Sequence, residues 1–229
     1  MTLNEMIYHR KSCRSFAGRP VDADVIERIM SFEIKPLYPE IKVRMDIVPR
    51  NQVKCICPWT TPQLITIYSE ESTGYLENIG FMFQQMDLYL QTLGLGVCWL
   101  GMGKLNPKTT TQVKGMKFVI MLAFGHPKGD QLRHDLKDFK RKPLEQIADK
   151  VDSRLEPARL APSAVNSQPW YFTHEDGTIH VYCAKKGSRL DVGIALAHLC
   201  VANEESFRFF KTEKTPEILG YTYIGSAAI

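Results

Sequence analysis

From Tyr75 to Leu93, the residues Leu76, Ile79, Phe83, Met86, Leu90 and Leu93 step by three and four, the spacing of one helical face. Tyr75, Met82 and Tyr89 widen that face, as do Phe81 and Leu88, and polar pairs recur at Glu77/Asn78, Gln84/Gln85 and Gln91/Thr92. A helix wetted along so narrow a stripe needs its remaining surface covered, so it belongs in the middle of a domain or at a subunit interface. It is not a membrane span, which needs about 20 mostly apolar residues. The stretch continues into Gly94-Leu95-Gly96-Val97-Cys98-Trp99-Leu100-Gly101-Met102-Gly103. Its glycines let the backbone turn and let a ligand or another segment approach the main chain closely.

A chain of 229 residues is long enough to bury a substantial core, and lies between one large domain and two small ones. Its net charge of +4 is mild. The basic run Arg133 to Lys142 is interrupted by Asp135 and Asp138 and has no aromatic-rich neighbour, which argues against nucleic acid as a partner. The start, MTLNEMIYHRKS, lacks the apolar core of a signal peptide, so a cytoplasmic location is expected. Six cysteines fit reduced thiols better than a disulfide framework. Cys55-Ile56-Cys57 lacks the spacing of a zinc pair and has no second pair, so no metal site is expected.

Taken in order, Thr2-Leu3-Asn4-Glu5 reads as a capping box opening a short helix that leads into Arg10-Lys11-Ser12-Cys13-Arg14. Asp22 reads as the N-cap of a second helix, with Val21 as a staple against Ile26 and Val25, Ile26, Ile29 and Met30 as its buried side. Val43, Met45 and Ile47 alternate with charged residues, as in a half-buried strand. Leu64 to Tyr68 and Phe118 to Phe124 are nearly continuous apolar runs, which predicts central strands covered on both faces by helices. The second half echoes the first. Ile65-x-Ile67-Tyr68 precedes Gly80-Phe81, and Ile179-x-Val181-Tyr182 precedes Gly193-Ile194, at the opening of a helix expected to run from Asp191 through Ala202 to about Phe210. No low-complexity linker separates the halves, so one packed body is expected, with residues 1–150 as its first part and 151–229 as its second. Tyr221 to Ile224 reads as an exposed C-terminal strand able to add to another sheet.

Arg10, Lys11, Ser12 and Arg14 place three cations and a hydroxyl within five residues, a set that suits a phosphomonoester, although the cluster by itself reads more readily as a solvated basic turn. Lys140-Arg141-Lys142 is a second such group. In Ala161-Pro162-Ser163-Ala164-Val165-Asn166-Ser167-Gln168-Pro169-Trp170 two prolines bracket small and amide residues, which predicts a rigid extended loop presenting Ser163, Asn166 and Gln168, or a plain helix-to-strand connection.

Together, Arg10-x-Ser12-x-Arg14, Gly94-Leu95-Gly96-x-Cys98-Trp99-x-Gly101, Phe124-Gly125-x-Pro127, Arg141-Lys142-Pro143-Leu144-Glu145 and the loop from Ala161 to Trp170 resemble the FMN-dependent nitroreductase family. The resemblance implies an α+β fold of mainly antiparallel sheets with helices packed around a long central helix, and FMN held noncovalently. Two departures stand out. The Ala-Pro-Ser-x-x-Asn-x-Gln-Pro-Trp stretch follows the Arg-Lys-Pro-Leu stretch instead of preceding it, which resembles the nitroreductase subfamily with two related halves in one chain. Such a chain is a pseudo-dimer with one flavin site. The other departure is Phe139, where the family often has a further Arg.

By that resemblance, Arg10, Ser12 and Arg141 are expected at the FMN phosphate, with Lys11 and Lys142 beside them. Arg14 is expected at the ribityl chain or pyrimidine edge, where a cation stabilises developing negative charge. Leu100 and Gly101 are expected along the ring, and Pro162, Ser163, Ala164 and Asn166 are expected to close the site from the second half. No side-chain acid or base is required, because the cofactor carries the hydride chemistry. The implied reaction is ping-pong transfer from NADH or NADPH to an electron-poor nitroaromatic, quinone or similar small acceptor, by a monomer or weak homodimer that binds neither nucleic acid nor membrane. A flavin-binding sensor without turnover and a flavin-free structural protein are the competing readings.

Overall fold

The computed structural model describes residues 1–55, 61–107 and 113–229. Cys57, part of the cysteine pair considered above, lies outside them. Helix α1 (Leu3–Ile7) opens with the expected capping box: the Thr2 hydroxyl accepts the Glu5 N–H at 3.2 Å, and the Glu5 carboxylate accepts the Thr2 N–H at 2.8 Å. Helix α2 (Ala23–Ser31) begins after Asp22, whose side chain makes no capping bond. Ile29 is buried on α2, but Met30 is 50% exposed and does not belong to its inner face.

The first sheet joins β1 (Val43–Pro49), β3 (Gln63–Ser69), β4 (Gly96–Leu100) and β6 (Lys117–Gly125), all antiparallel, in the order β1-β3-β6-β4. The two apolar runs are thus its central strands. Two short strands, β2 (Val53–Lys54) and β5 (Lys104–Leu105), form a separate ribbon. One face of the sheet, with Ile65, Ile67, Leu122 and Phe124, enters the main core beside α3 (Tyr75–Thr92). Across the other face, Leu64, Met121 and Ala123 pack with Cys13, Phe16 and Val53. Among the described residues, helices therefore cover one side only. The expectation of helices on both faces fails because an apolar strand records burial, not the kind of element that buries it.

Helix α4 (Glu156–Leu160) leads through the Ala161–Trp170 loop to a second antiparallel sheet. It comprises β7 (Trp170–Glu175), β8 (Thr178–Ala184), β9 (Arg208–Phe210) and β10 (Tyr221–Ala228), in the order β7-β8-β10-β9. Strand β10 pairs β8 along most of its length but meets β9 only at Ser226–Ala228, so the outer edge of Tyr221 to Ile224 faces no strand among the described residues, with Lys211 bonding the Ile224 carbonyl. Helix α5 (Arg189–Ala202) stops well short of Phe210: Asn203 turns back to bond the Leu199 carbonyl at 2.9 Å, and Arg208–Phe210 is strand.

Helix α3 packs on α5, α3 meets β3 and β4, and α5 meets β7 and β8, so both sheets and both helices share one apolar core. Each fully buried Leu, Ile or Phe there contributes about 1.5–3 kcal/mol. The helices cross at two glycines: a Cβ on Gly80 would overlap the Leu190 carbonyl, and one on Gly193 would overlap the Glu77 carbonyl.

The polar pairs of α3 are not a wetted stripe. Glu77, Asn78, Gln84, Gln85 and Gln91 are buried, as is Asp87, and each has a partner. Asn78 accepts the N–H groups of Leu37 and Tyr38, and Gln85 exchanges two bonds with the Lys35 backbone. Gln84 sits between Trp99 and His198. Glu77 pairs with Arg189, and Gln91 binds the Lys11 N–H and Asp87. Periodicity identified the helix, but polar residues at regular spacing can face protein partners as readily as water. No helix among the described residues is long and apolar enough to cross a membrane.

Candidate functional site

The segment after α1 runs beside β4. The Cys13 N–H bonds the Val97 carbonyl at 2.7 Å, and Ser12 and Val97 form a parallel bridge. This stitching sets Ser12 and Arg14 next to Trp99 and Gly101, in the wall of a 190 Å³ cavity. The opposite wall comes from the second half: Pro162, Ser163, Ala164 and Val165 of the loop, with Leu190, Asp191 and Ile194 of α5. Six of the expected residues, Ser12, Arg14, Gly101, Pro162, Ser163 and Ala164, thus surround one space. Leu100 does not line it; its side chain is buried in the apolar cluster with Cys13, Phe16 and Leu64.

Beside this cavity stands a group of guanidiniums. Arg10 is only 1% exposed; its Nε donates to Asp87 Oδ1 at 3.1 Å and its Nη2 to Ser12 Oγ at 3.4 Å. Arg133 donates to the Arg10 carbonyl and lies 4.4 Å from the centroid of the Phe139 ring, and Arg141 lies 5.9 Å from the same centroid. Phe139 is thus a buried platform for two cations. Burial, then Arg10, pulls Arg133 down to about 10. Burial, followed by Arg10, Arg133 and Arg159, pulls Arg141 down to about 9. Arg133 and Arg141 remain charged at neutral pH, and their shifts record burial first and neighbouring positive charge second, both of which an anion would relieve.

The loop is tied to this group. Arg141 donates to Asn166 Oδ1 and to the Leu160 carbonyl, and Asn166 Nδ2 donates to the Lys140 carbonyl at 3.0 Å. Gln168 Oε1 accepts the Lys142 N–H at 2.8 Å, and Lys142 Nζ reaches the Ser167 and Gln168 carbonyls. The Ser163 hydroxyl accepts the Gln168 N–H at 2.9 Å. Asn166, Gln168 and Val165 all have positive φ, of 57, 47 and 48°, a region costly for a β-branched residue. The amides that looked available in the sequence therefore fix the loop. Val165 is 99% exposed at its tip, and Lys11 is exposed beside Arg10.

Three residues of this site escaped sequence reasoning. Arg133 stood in the basic run from Arg133 to Lys142, but nothing in its spacing pointed to Arg10. Trp99 was noted only as part of a motif; its Nε1–H bonds Gln84, anchoring the cavity wall to α3. Asp191 was read only as a helix start. Its Oδ2 accepts the Ala164 N–H at 3.1 Å, and burial raises its carboxyl to about 6. Among the described residues no group of His, Cys, Asp and Glu could hold a metal ion.

Two antiparallel sheets, each served by a long helix, with both helices packed at the centre, define a nitroreductase-like α+β fold. The chain belongs to the family described as "Putative TM nitroreductase", which matches residues 2–203. A similar solved structure is a "putative nitroreductase" from Thermotoga maritima, 20% identical, with 99% of this chain and 92% of that chain covered and a TM-score of 0.70. Another is a nitroreductase family protein from Clostridium difficile 630, 15% identical, with 64% of this chain and 96% of that chain covered and a TM-score of 0.50. An "FMN-dependent Nitroreductase" from Clostridium difficile R20291 is 15% identical over 58% of this chain and 95% of that chain, with a TM-score of 0.43. No curated protein matches the sequence.

Proposed function

We propose that the protein is an FMN-dependent oxidoreductase that passes hydride from NADH or NADPH to a small electron-poor acceptor such as a quinone or nitroaromatic. The observation that carries this reading is the gathering of Arg133 and Arg141 over the Phe139 ring, with Arg133 bonded to the Arg10 carbonyl and Arg10 to Ser12 in the wall of a cavity shared by both halves of the chain. A phosphomonoester relieves that crowding through charge-assisted, forked hydrogen bonds, and Ser12, which lines the cavity and touches Arg10, joins the phosphate subsite to the cavity. These residues fit the phosphate end of FMN. Arg14 faces the cavity where it can hold negative charge on the flavin, and Gly101 leaves its backbone open for close approach. Pro162, Ser163 and Ala164 close the far side, and Asn166 holds Arg141 in place. Leu100 contributes through its main chain, and Lys11 and Lys142 through long-range charge. FMN, when bound, supplies the hydride chemistry; the chain binds it and orients the acceptor.

In this reading the second half takes the place of a partner subunit, giving one FMN per chain in a cytoplasmic monomer or weak homodimer. The crossing of α3 and α5 at Gly80 and Gly193 supports a pseudo-dimer. The sensor reading drew on the loss of a cation at Phe139, and Arg133 stacked on that ring removes this support. The test is direct. Protein purified without added cofactor should be yellow, release FMN on heating, and oxidise NADH or NADPH in the presence of a quinone. Colourless protein that takes up no FMN would reject the proposal, and a yellow protein without turnover would favour the sensor.

A further inference from the structure

The geometry points to Asp191 as the proton donor to the acceptor, a role that rests on the oxidoreductase reading above and narrows its substrates to neutral acceptors reduced at a carbonyl or nitro oxygen. Asp191 stands in the first turn of α5, where its N–H bonds the Ser188 hydroxyl, and it is 4% exposed. One oxygen, Oδ2, is held by the Ala164 N–H. The other, Oδ1, makes no hydrogen bond among the described residues and belongs to a side chain in the cavity wall.

Asp191 forms no ion pair among the described residues. Arg189, two residues earlier, pairs instead with Glu77 of α3 at 3.3 Å. Among the described residues, the other ionisable groups around it are Arg14 and Cys98 in the cavity wall and Cys183 on β8. Anchoring a loop N–H requires only an acceptor, which an asparagine supplies without the cost of a buried charge. A carboxyl raised to about 6 by burial carries its proton for an appreciable part of the time near neutral pH and can release it, as a general acid must.

The step balances as follows. Hydride delivered to a quinone brings both electrons and one hydrogen; Asp191 gives its proton to the quinone oxygen, and the product is the hydroquinone. The carboxylate left behind recovers a proton from water at the cavity mouth. A nitro group accepts hydride and proton in the same way, and the resulting N,N-dihydroxy adduct loses water to give the nitroso compound with no further proton consumed. A one-electron acceptor such as ferricyanide needs no proton from the protein.

The variant Asp191→Asn keeps an acceptor for the Ala164 N–H. In the flavin-loaded variant the rate of reoxidation by benzoquinone should fall about 10²–10³-fold relative to the rate with ferricyanide measured on the same protein. The wild-type quinone rate should fall as pH rises through 6, and this dependence should vanish in the variant. Infrared spectra of flavin-free protein give a second readout: a protonated-carboxyl band titrating near pH 6 should be present in the wild type and absent from the variant. Equal losses with both acceptors, an undiminished quinone rate, or no such band would overturn the assignment. Wild-type protein that takes up no FMN overturns the oxidoreductase reading as well, and the infrared titration still reports whether Asp191 holds the proton.

Discussion

Gly80 and Gly193 occupy reciprocal positions where α3 and α5 cross, each lying against the other helix's backbone, at the Leu190 and Glu77 carbonyls respectively. Glycine inside a helix costs roughly 0.5–1 kcal/mol relative to alanine, so helical propensity alone makes Gly→Ala stabilising at both positions. The crossing reverses that sign. Gly80→Ala and Gly193→Ala should each destabilise the protein by about 1–3 kcal/mol or more through overpacking, measured as a lowered urea midpoint. A raised midpoint in either variant would mean that the helices stand further apart than described.

If the proposed phosphate subsite is right, Arg133 should matter to FMN as much as Arg10 and Arg141. Replacing any of the three by Ala removes a charge-assisted contact and should weaken FMN by about 1.5–3 kcal/mol, while riboflavin, which lacks the phosphate, binds nearly as before. Titrating apoprotein with both ligands measures this. An unchanged preference for FMN in Arg133→Ala would exclude Arg133 from the phosphate subsite.

Asn166 bridges Arg141 and the Lys140 carbonyl from the far half of the chain. Asn166→Leu should lower FMN occupancy while circular dichroism and thermal midpoint stay close to wild type, because the residue is exposed and outside the core. Full occupancy in the variant, or two FMN per chain in the wild type, contradicts a single site shared between the halves.

His198 makes stability depend on pH. Its Nδ1–H donates to the Pro157 carbonyl at 2.9 Å, its Nε2 accepts from Gln84 at 3.1 Å, and burial lowers its pKa to about 3. The folded value lies below the unfolded one of about 6.5, so the stability it confers is present above that value and is lost as pH falls toward 3. The loss should approach about 1.4 kcal/mol per pH unit. Asp191 acts oppositely: its folded pKa is raised, so its contribution is present below the ordinary carboxylate value and lost as pH rises through 6. Urea midpoints from pH 7 to pH 4 in the Asp191→Asn background isolate the histidine, and a flat profile there would show that His198 is not buried neutral.

The sequence disclosed whatever depended on local pattern. The runs at Leu64 and Phe118 marked the two central strands, Thr2 and Glu5 marked the start of α1, and the interval from Tyr75 to Gly94 marked α3. What it concealed depended on partners distant along the chain. Asp87, within the long helix, meets Arg10, and Arg133 bonds the Arg10 carbonyl from the other end of the first half. The loop amides illustrate the same limit: their density signalled a special segment, but only its left-handed residues and the bonds to Lys140, Arg141 and Lys142 show that they hold the loop in place. The helix expected to reach about Phe210 ends at Ala202, because Asn203 caps it and Arg208–Phe210 pairs with β10 from far along the chain.

The buried polar residues of α3 also govern how the molecule could be dismantled. Gln84 requires His198, Glu77 requires Arg189, and past the midpoint Ile147 and Asp149 exchange backbone bonds with Phe172. A gene divided after residue 150 would encode two fragments, each carrying desolvated groups made for the other, and neither should remain soluble when produced by itself. Produced together they should reassemble, because the information that joins them resides in matched side chains and not in the peptide bond between Lys150 and Val151.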